Sequence, residues 1–290
     1  MNTESTIRLF YWNDEGNFGD FLSPYLVSKI TQRKITYCSS SATNKLVAIG
    51  SILSKETLFS SSHIWGSGAL TPKFFRVPPF YNIKRTIAYR FKSAFYRSKI
   101  YALRGPLTAA KCESFGFDVP NVFGDPGILV SDYYQPNINA DFEVGIVLHY
   151  AHKNIFSNAR LPEKWKFIDI ARKTPREIEK FIDELLSCKR IFSSSLHGII
   201  VAQAYGVPAQ WITFNNRPLN NKYNDFKFND YFLGADQIVQ QPICLDPNKC
   251  DWSTLIKTPL VHVDTHSLQR CKESLLSAFP EVSLISDVLP

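Results

Sequence analysis

The run Ser193-Ser194-Ser195-Leu196-His197-Gly198 sets three hydroxyls and an imidazole side by side between two apolar segments. Before it, Lys189-Arg190-Ile191-Phe192 reads as a short buried strand. After it, Ile199, Ile200, Val201, Ala202, Ala204 and Tyr205 form an apolar helix stopped at Gly206-Val207-Pro208. The hydroxyls and His197 therefore fall at a strand-to-helix turn, where the first N–H groups of the helix are unpaired and favour an anion. A histidine held beside an anion can serve as acid, base or phosphate ligand near neutral pH. The same residues also fit a serine-rich cap over a packed histidine.

Other junctions repeat this layout. The strand Ile7–Trp12 opens into Gly16-Asn17-Phe18-Gly19-Asp20, and Phe21, Leu22, Tyr25, Leu26 and Ile30 then recur at helical spacing. Two glycines beside Asn17 and Asp20 would let a ligand come close, although a plain connecting turn has the same composition. Leu46-Val47-Ala48-Ile49 opens into Gly50-Ser51, and His63-Ile64-Trp65 into Gly66-Ser67-Gly68. Neither matches a dinucleotide fingerprint or a P-loop. Ile100–Leu103 leads to Arg104-Gly105-Pro106, which puts an arginine at the start of a helix bearing Leu107, Ala110 and Phe115. Val119–Phe123 reads as the next strand, ending in Gly124-Asp125-Pro126-Gly127, where Asp125 is either a catalytic carboxylate or a turn cap.

The elements that must hold these residues fall into two sets. Asp132–Phe142, rich in proline and asparagine, reads as a linker. The strand Val144–Leu148 comes after it, ending at His149-Tyr150 with His152 close by. Next come an amphipathic helix over Pro175–Leu186, the Ile191 strand, and a strand at Ala209–Ile212. Asn215–Tyr231 shows no periodicity and reads as a site loop, and Ser267–Phe279 reads as a terminal helix. The expected fold is α/β, with two Rossmann-like, doubly wound domains over residues 1–136 and 137–290 facing across a cleft.

Composition narrows the function. The chain has 290 residues with 44% hydrophobic content, enough for a well-packed globular protein. It holds no run near the roughly 18 apolar residues a membrane span needs. The polar start Met1–Thr6 lacks a signal-peptide layout, so a cytoplasmic protein is expected. Cys38, Cys112, Cys188, Cys244, Cys250 and Cys271 are scattered without metal spacing and are expected to be reduced, with no metal site. Between Glu56 and Glu113 lie ten basic residues and no acidic one, against a net charge of +7 for the whole chain. With aromatics interleaved from Phe74 to Tyr96, that stretch suits phosphates, anionic glycans or an anionic membrane surface. It also fits a solvated basic face.

Taken in order, several of these stretches resemble the polysaccharide pyruvyl transferase family. They are Gly16-Asn17-Phe18-Gly19-Asp20, Ile64-Trp65-Gly66-Ser67-Gly68, Leu103-Arg104-Gly105-Pro106-Leu107 and Gly124-Asp125-Pro126-Gly127. Ser194-Ser195-Leu196-His197-Gly198 with its Ala-x-x-x-Gly-Val-Pro continuation and Lys227-Phe228-Asn229-Asp230-Tyr231 complete the set. One departure is Ser195, where many members carry arginine.

The resemblance implies two domains arranged like a GT-B glycosyltransferase, phosphoenolpyruvate as donor substrate and no further cofactor. The product would be a pyruvate ketal bridging two hydroxyls of a sugar, free or lipid-linked. It also implies Arg104, Ser194, Ser195, Leu196, His197, Gly198 and Lys227 at the donor, with His197 as acid. Asp20 and Asp125 would orient or deprotonate the acceptor, which is expected against Asn17, Asp20, Gly66, Ser67, Gly68 and His149. Peripheral contact with an anionic membrane would hold the protein near lipid-linked glycans, and nucleic acid is not an expected partner. The competing readings are a GT-B-type glycosyltransferase with a nucleotide-sugar donor and a non-catalytic glycan- or membrane-binding protein.

Overall fold

The computed structural model describes residues 6–13, 16–72, 98–153, 155–156, 160–214, 224–246 and 252–287. Two parallel sheets organise the chain. The first contains β1 (Thr6–Phe10), β2 (Ile35–Tyr37), β3 (Leu46–Val47), β4 (His63–Trp65) and β5 (Lys99–Ala102), in spatial order β2-β1-β3-β4-β5. The second contains β6 (Val144–Val147), β7 (Trp165–Ile168), β8 (Ile191–Ser193), β9 (Ala209–Phe214) and β10 (Ile243–Leu245), in order β7-β6-β8-β9-β10. Numbered within its own half, each sheet reads 2-1-3-4-5. That is a doubly wound order whose direction reverses between the first and third strands, the switch point where ligands bind beyond the carboxyl ends.

Strands buried on both faces read as unbroken apolar runs, which is why β3, β6 and β8 were legible. Val144, Ile146 and Val147 are fully buried, as are Leu46 and Val47. Gly145 sits between them because a Cβ there would meet the Ile191 and Ile168 side chains within 2.9 Å. The edge strands β2, β7 and β10 were not anticipated: Ile35–Tyr37 is only half-buried or exposed, and its alternation is too short to register.

The two halves share a hydrophobic cluster. Helix Phe18–Thr31 lies against helix Pro175–Leu186, with the Phe18 and Phe181 rings 4.2 Å apart, and the Tyr25 hydroxyl donates to Glu179 at 3.0 Å. The second of these helices has a reciprocal cap: Thr174 Oγ1 accepts from the Glu177 N–H, and the Glu177 carboxylate accepts from the Thr174 N–H. Thr174→Ala is expected to lower unfolding free energy by about 1 kcal/mol, readable as a shifted urea midpoint with an unchanged slope.

Three expectations change. Val119–Phe123 is not a strand; it makes one parallel bridge, Leu103 with Phe123, and Pro120 has no N–H to extend a ladder. The expected linker is shortened, because helix Val130–Tyr133 takes its first residues. In the expected loop Asn215–Tyr231, residues 224–234 form helix Asn224–Gly234. Its buried stripe Phe228, Tyr231, Phe232 repeats at helical spacing, with Phe228 stacked on Trp211 at 4.1 Å, but asparagines and aspartates hide the period.

The last elements return to the first half. Helix Thr265–Ser277 accepts the Trp65 indole N–H at the Leu275 carbonyl, 2.8 Å away, and β11 (Ser286–Asp287) pairs antiparallel with β1. Most of the basic aromatic stretch, residues 73–97, lies outside the described residues. Among the described residues no helix is long and apolar enough to cross a membrane.

Candidate active site

A cavity of about 560 Å³ opens at the carboxyl ends of both sheets. Trp12 follows β1, Ser51 follows β3, His149 follows β6 and Ser195 follows β8, and all four line it. These are the first and third strands of each half, so the cavity occupies both switch points. Asn17, Asp20, Leu196, His197 and Lys227 also line it. The glycine-rich loop, the serine–histidine turn and the lysine segment thus meet in one place.

Two helices start at this cavity. Helix Phe18–Thr31 has Asn17 as its N-cap and helix Leu196–Ala204 has Ser195, and neither cap side chain accepts from a backbone N–H of its own helix. The loop before the first helix is pinned to the second half. Phe18 N–H donates to the Ile170 carbonyl at 2.9 Å, and Arg172 N–H to the Gly16 carbonyl at 2.8 Å. Gly19 is what lets the helices meet, since a Cβ there would lie 2.0 Å from His197 Nδ1.

The three serines divide their work. Ser193 Oγ accepts from Ser195 N–H at 3.0 Å and donates to the Ser195 carbonyl at 2.8 Å, closing the turn. Gly198 leaves room for it, because a Cβ there would sit 2.3 Å from that hydroxyl. Ser194 Oγ accepts from His149 N–H at 2.9 Å and lies 3.0 Å from His152 Nδ1, so it fixes the loop after β6. Of the three, Ser195 reaches the cavity wall.

His197 is buried, and its Nε2 faces Asp125 Oδ2 at 3.9 Å, beyond hydrogen-bond range. Neither atom has a hydrogen-bond partner among the described residues. Asp125 Oδ1 accepts from Gly127 N–H at 2.9 Å, so the capping role coexists with the facing carboxylate oxygen. Burial, then Lys227 and Arg104, push His197 down to about 3; burial pushes Asp125 up to about 6 against the Gly127 hydrogen bond. Near neutral pH the imidazole is therefore uncharged and the carboxyl mostly ionised, and a proton taken up by the pair as pH falls goes to the carboxyl rather than the imidazole.

Burial likewise lifts Asp20 to about 6, opposed by the Asn17 Nδ2 hydrogen bond at 3.0 Å and by Lys227. It lowers Lys227 to about 8, with Arg104 adding and Asp20 opposing. His149 falls to about 3 through burial and the charges of Lys227 and its neighbouring histidines. With both histidines uncharged, Lys227 is the cation on this wall among the described residues.

Asp125 supplies a pH test. A carboxyl whose folded value is about 6 against 3.8 for the free group holds an extra proton in the folded state between those values. Its contribution to stability therefore falls as pH rises from 4 to 6. Asp125→Asn removes that loss and keeps an oxygen for Gly127. The variant is expected to gain stability relative to the parent between pH 4 and pH 7, by on the order of 3 kcal/mol at most. Parallel melts across pH measure it; a constant difference would contradict the assignment.

Arg104 is not at the cavity surface. It is fully buried, and Nε donates to Asp230 Oδ2 at 3.1 Å, Nη1 to Ser51 Oγ at 2.6 Å and Nη2 to the Ala69 carbonyl at 2.6 Å. Asp230 also accepts from Thr108 N–H at 2.9 Å and Thr108 Oγ1 at 2.6 Å. The anion expected at the start of helix Pro106–Ser114 is thus the chain's own Asp230. Gly66, Ser67 and Gly68 lie under the cavity rather than on its wall. Ser67 Oγ donates to the Gly50 carbonyl at 3.0 Å, and a Cβ on Gly68 would strike the Arg104 guanidinium.

Sequence reasoning gave no site role to Trp12, Ser40, Ser54 and Glu56, and named Ser51 and Asp230 only as members of their stretches. Asp230 stands three residues after Lys227, a helical spacing that would have exposed it. Glu56, the last acidic residue before the basic stretch, carried no other signal.

The family model described as polysaccharide pyruvyl transferase matches residues 17–216. An uncharacterized protein of Acanthamoeba polyphaga mimivirus is 26% identical over 283 residues, spanning 93% of this chain and 90% of its own length.

Proposed function

The chain belongs to the polysaccharide pyruvyl transferase family, and from that premise we propose that it moves the pyruvyl group of phosphoenolpyruvate onto two hydroxyls of one sugar, forming a cyclic ketal. The observation that supports this is the meeting of His197, Asp20, Lys227 and two helix N-termini in one cavity at both switch points. A GT-B-like arrangement is part of this reading, with residues 1–136 facing the acceptor and part of the donor, and 137–290 the donor.

The donor carries a phosphate and a carboxylate. The start of helix Leu196–Ala204 offers unpaired N–H groups, and Lys227 a cation, for these anions. Arg104 contributes through its charge from beneath the floor, because its donors are held by Asp230, Ser51 and Ala69. Where many relatives carry arginine, Ser195 supplies a hydroxyl instead.

Carbon 3 of the enol takes a proton, which leaves carbon 2 cationic and open to a sugar hydroxyl. An anion bound beside His197 offsets Lys227 and Arg104, and with the Asp125 carboxylate facing Nε2 it favours the imidazolium, so the pair takes up a proton that the imidazole delivers. Asp20, lifted to about 6 and so charged for much of the time near neutral pH, takes the hydroxyl proton. Carbon 2 then loses phosphate, which departs with one proton, and the second hydroxyl closes the ring as it loses its own. Two hydroxyl protons are released and two are consumed, one at carbon 3 and one on phosphate. No metal or further cofactor is required.

The reaction would run in the cytoplasm on a free or lipid-linked glycan, with the stretch Lys73–Lys99 as the contact to an anionic membrane. Calorimetric titration tests the donor: phosphoenolpyruvate is expected to bind and a nucleotide-sugar panel is not. The reverse pattern would make the protein a nucleotide-sugar glycosyltransferase.

A further inference from the structure

The cavity has two unlike ends. Its inner end carries His197, Asp20 and Lys227. Its outer end carries Trp12 and Leu70, 48% and 50% exposed, together with Ser40 and the exposed Glu56, whose Oε2 accepts the Ser40 hydroxyl at 2.5 Å. The volume of about 560 Å³ falls within the 300–1,000 Å³ typical of drug-sized ligands and exceeds what phosphoenolpyruvate alone fills.

Granting the pyruvyl-transfer reading, on which this step rests, we propose that Trp12, Ser40 and Glu56 form the acceptor subsite, and that it takes a neutral hexopyranose. The ring lies with its C–H face on the Trp12 indole and its hydroxyls toward the Glu56 carboxylate, and the rest of the glycan leaves past Leu70.

Three features carry the assignment. An exposed indole facing a cavity offers a flat apolar surface with a polar edge, the complement of a pyranose whose one face is C–H and whose rim is hydroxyl. Glu56 is an acceptor-only group on a wall that also carries Lys227, Asp20 and the neutral His149 and His197. It repels the anionic donor, which the lysine and the helix N-termini draw to the inner end, while sugar hydroxyls supply the donors it lacks. The same carboxylate disfavours a sugar bearing its own carboxylate. Finally, a polymer cannot be enclosed, so its chain must exit where the wall is exposed, at Trp12 and Leu70.

The test uses the full chain with neutral hexopyranosides and the matching uronic acid glycosides. Trp12→Ala and Glu56→Gln are each expected to raise acceptor KM about tenfold, while kcat and the Kd for phosphoenolpyruvate hold. Trp12→Phe should recover most of the loss, and the neutral glycosides should be used in preference to the acidic ones. Unchanged acceptor KM in both variants, or equal use of the uronic acid glycosides, overturns the subsite while phosphoenolpyruvate binding leaves the transfer reading standing. No phosphoenolpyruvate binding by the unmodified protein overturns both.

Discussion

His197→Ala is expected to cut acceptor-dependent phosphate release by about 10²–10⁴-fold while phosphoenolpyruvate still binds. The ring enters the site only because residue 19 is glycine, and among the described residues its Nε2 has no hydrogen-bond partner, with the Asp125 oxygen 3.9 Å away. A histidine serving only as packing would bury a satisfied nitrogen. Here an unsatisfied one faces an unsatisfied carboxylate oxygen, beside a cavity lined by Lys227 and Asp20. Alanine removes the carrier of the carbon 3 proton and leaves the helix N–H groups and Lys227 to hold the donor. Rapid-quench turnover beside calorimetric binding separates the two. Equal losses in both would mean that His197 holds the donor rather than moving a proton.

Asp230→Ala is expected to destabilise the protein by about 3–5 kcal/mol, because it strands the Arg104 guanidinium without its counter-charge. Both side chains of this pair are fully buried, and the same carboxylate holds the Thr108 N–H and hydroxyl at the start of helix Pro106–Ser114. A close approach is built in. Gly105 packs on the Asp230 backbone, where any Cβ would fall 1.8 Å from its carbonyl oxygen. Asp230 and Lys227 share helix Asn224–Gly234, so losing the pair also loosens the lysine. Asp230→Asn, which keeps the shape but drops the charge, should lose less. Urea unfolding gives the stability change, and the Kd for phosphoenolpyruvate should weaken in the same order.

Much of this site was legible before any coordinates. Ser195, His197 and His149 come at the ends of apolar strands, Asn17 and Asp20 at the start of the helix after β1, and strands buried on both faces announce themselves as unbroken runs. In a parallel sheet, the residues that leave such a strand must lie at the carboxyl edge. The helix Asn224–Gly234 was hidden because Asn224, Asp225, Asn229 and Asp230 have turn chemistry; its aromatic stripe carries the helix through packing on Trp211 instead.

Arg104 shows a deeper limit. A helix start beside an arginine says that an anion belongs there, but not whose. A carboxylate 126 positions along the chain fills it, and nothing local to Arg104 encodes that. Trp12 and Glu56 escaped notice for a similar reason: an exposed tryptophan and a surface glutamate gain meaning only when a cavity joins them.

The central claim is transfer of the pyruvyl group itself, and the direct measurement is carbon-13 NMR of the acceptor after incubation with phosphoenolpyruvate labelled at carbon 2. The account predicts that the label appears as a ketal carbon bonded to two sugar oxygens, with one phosphate released per ketal, and that His197→Ala abolishes the signal. Phosphate release with the label recovered only as free pyruvate would contradict it.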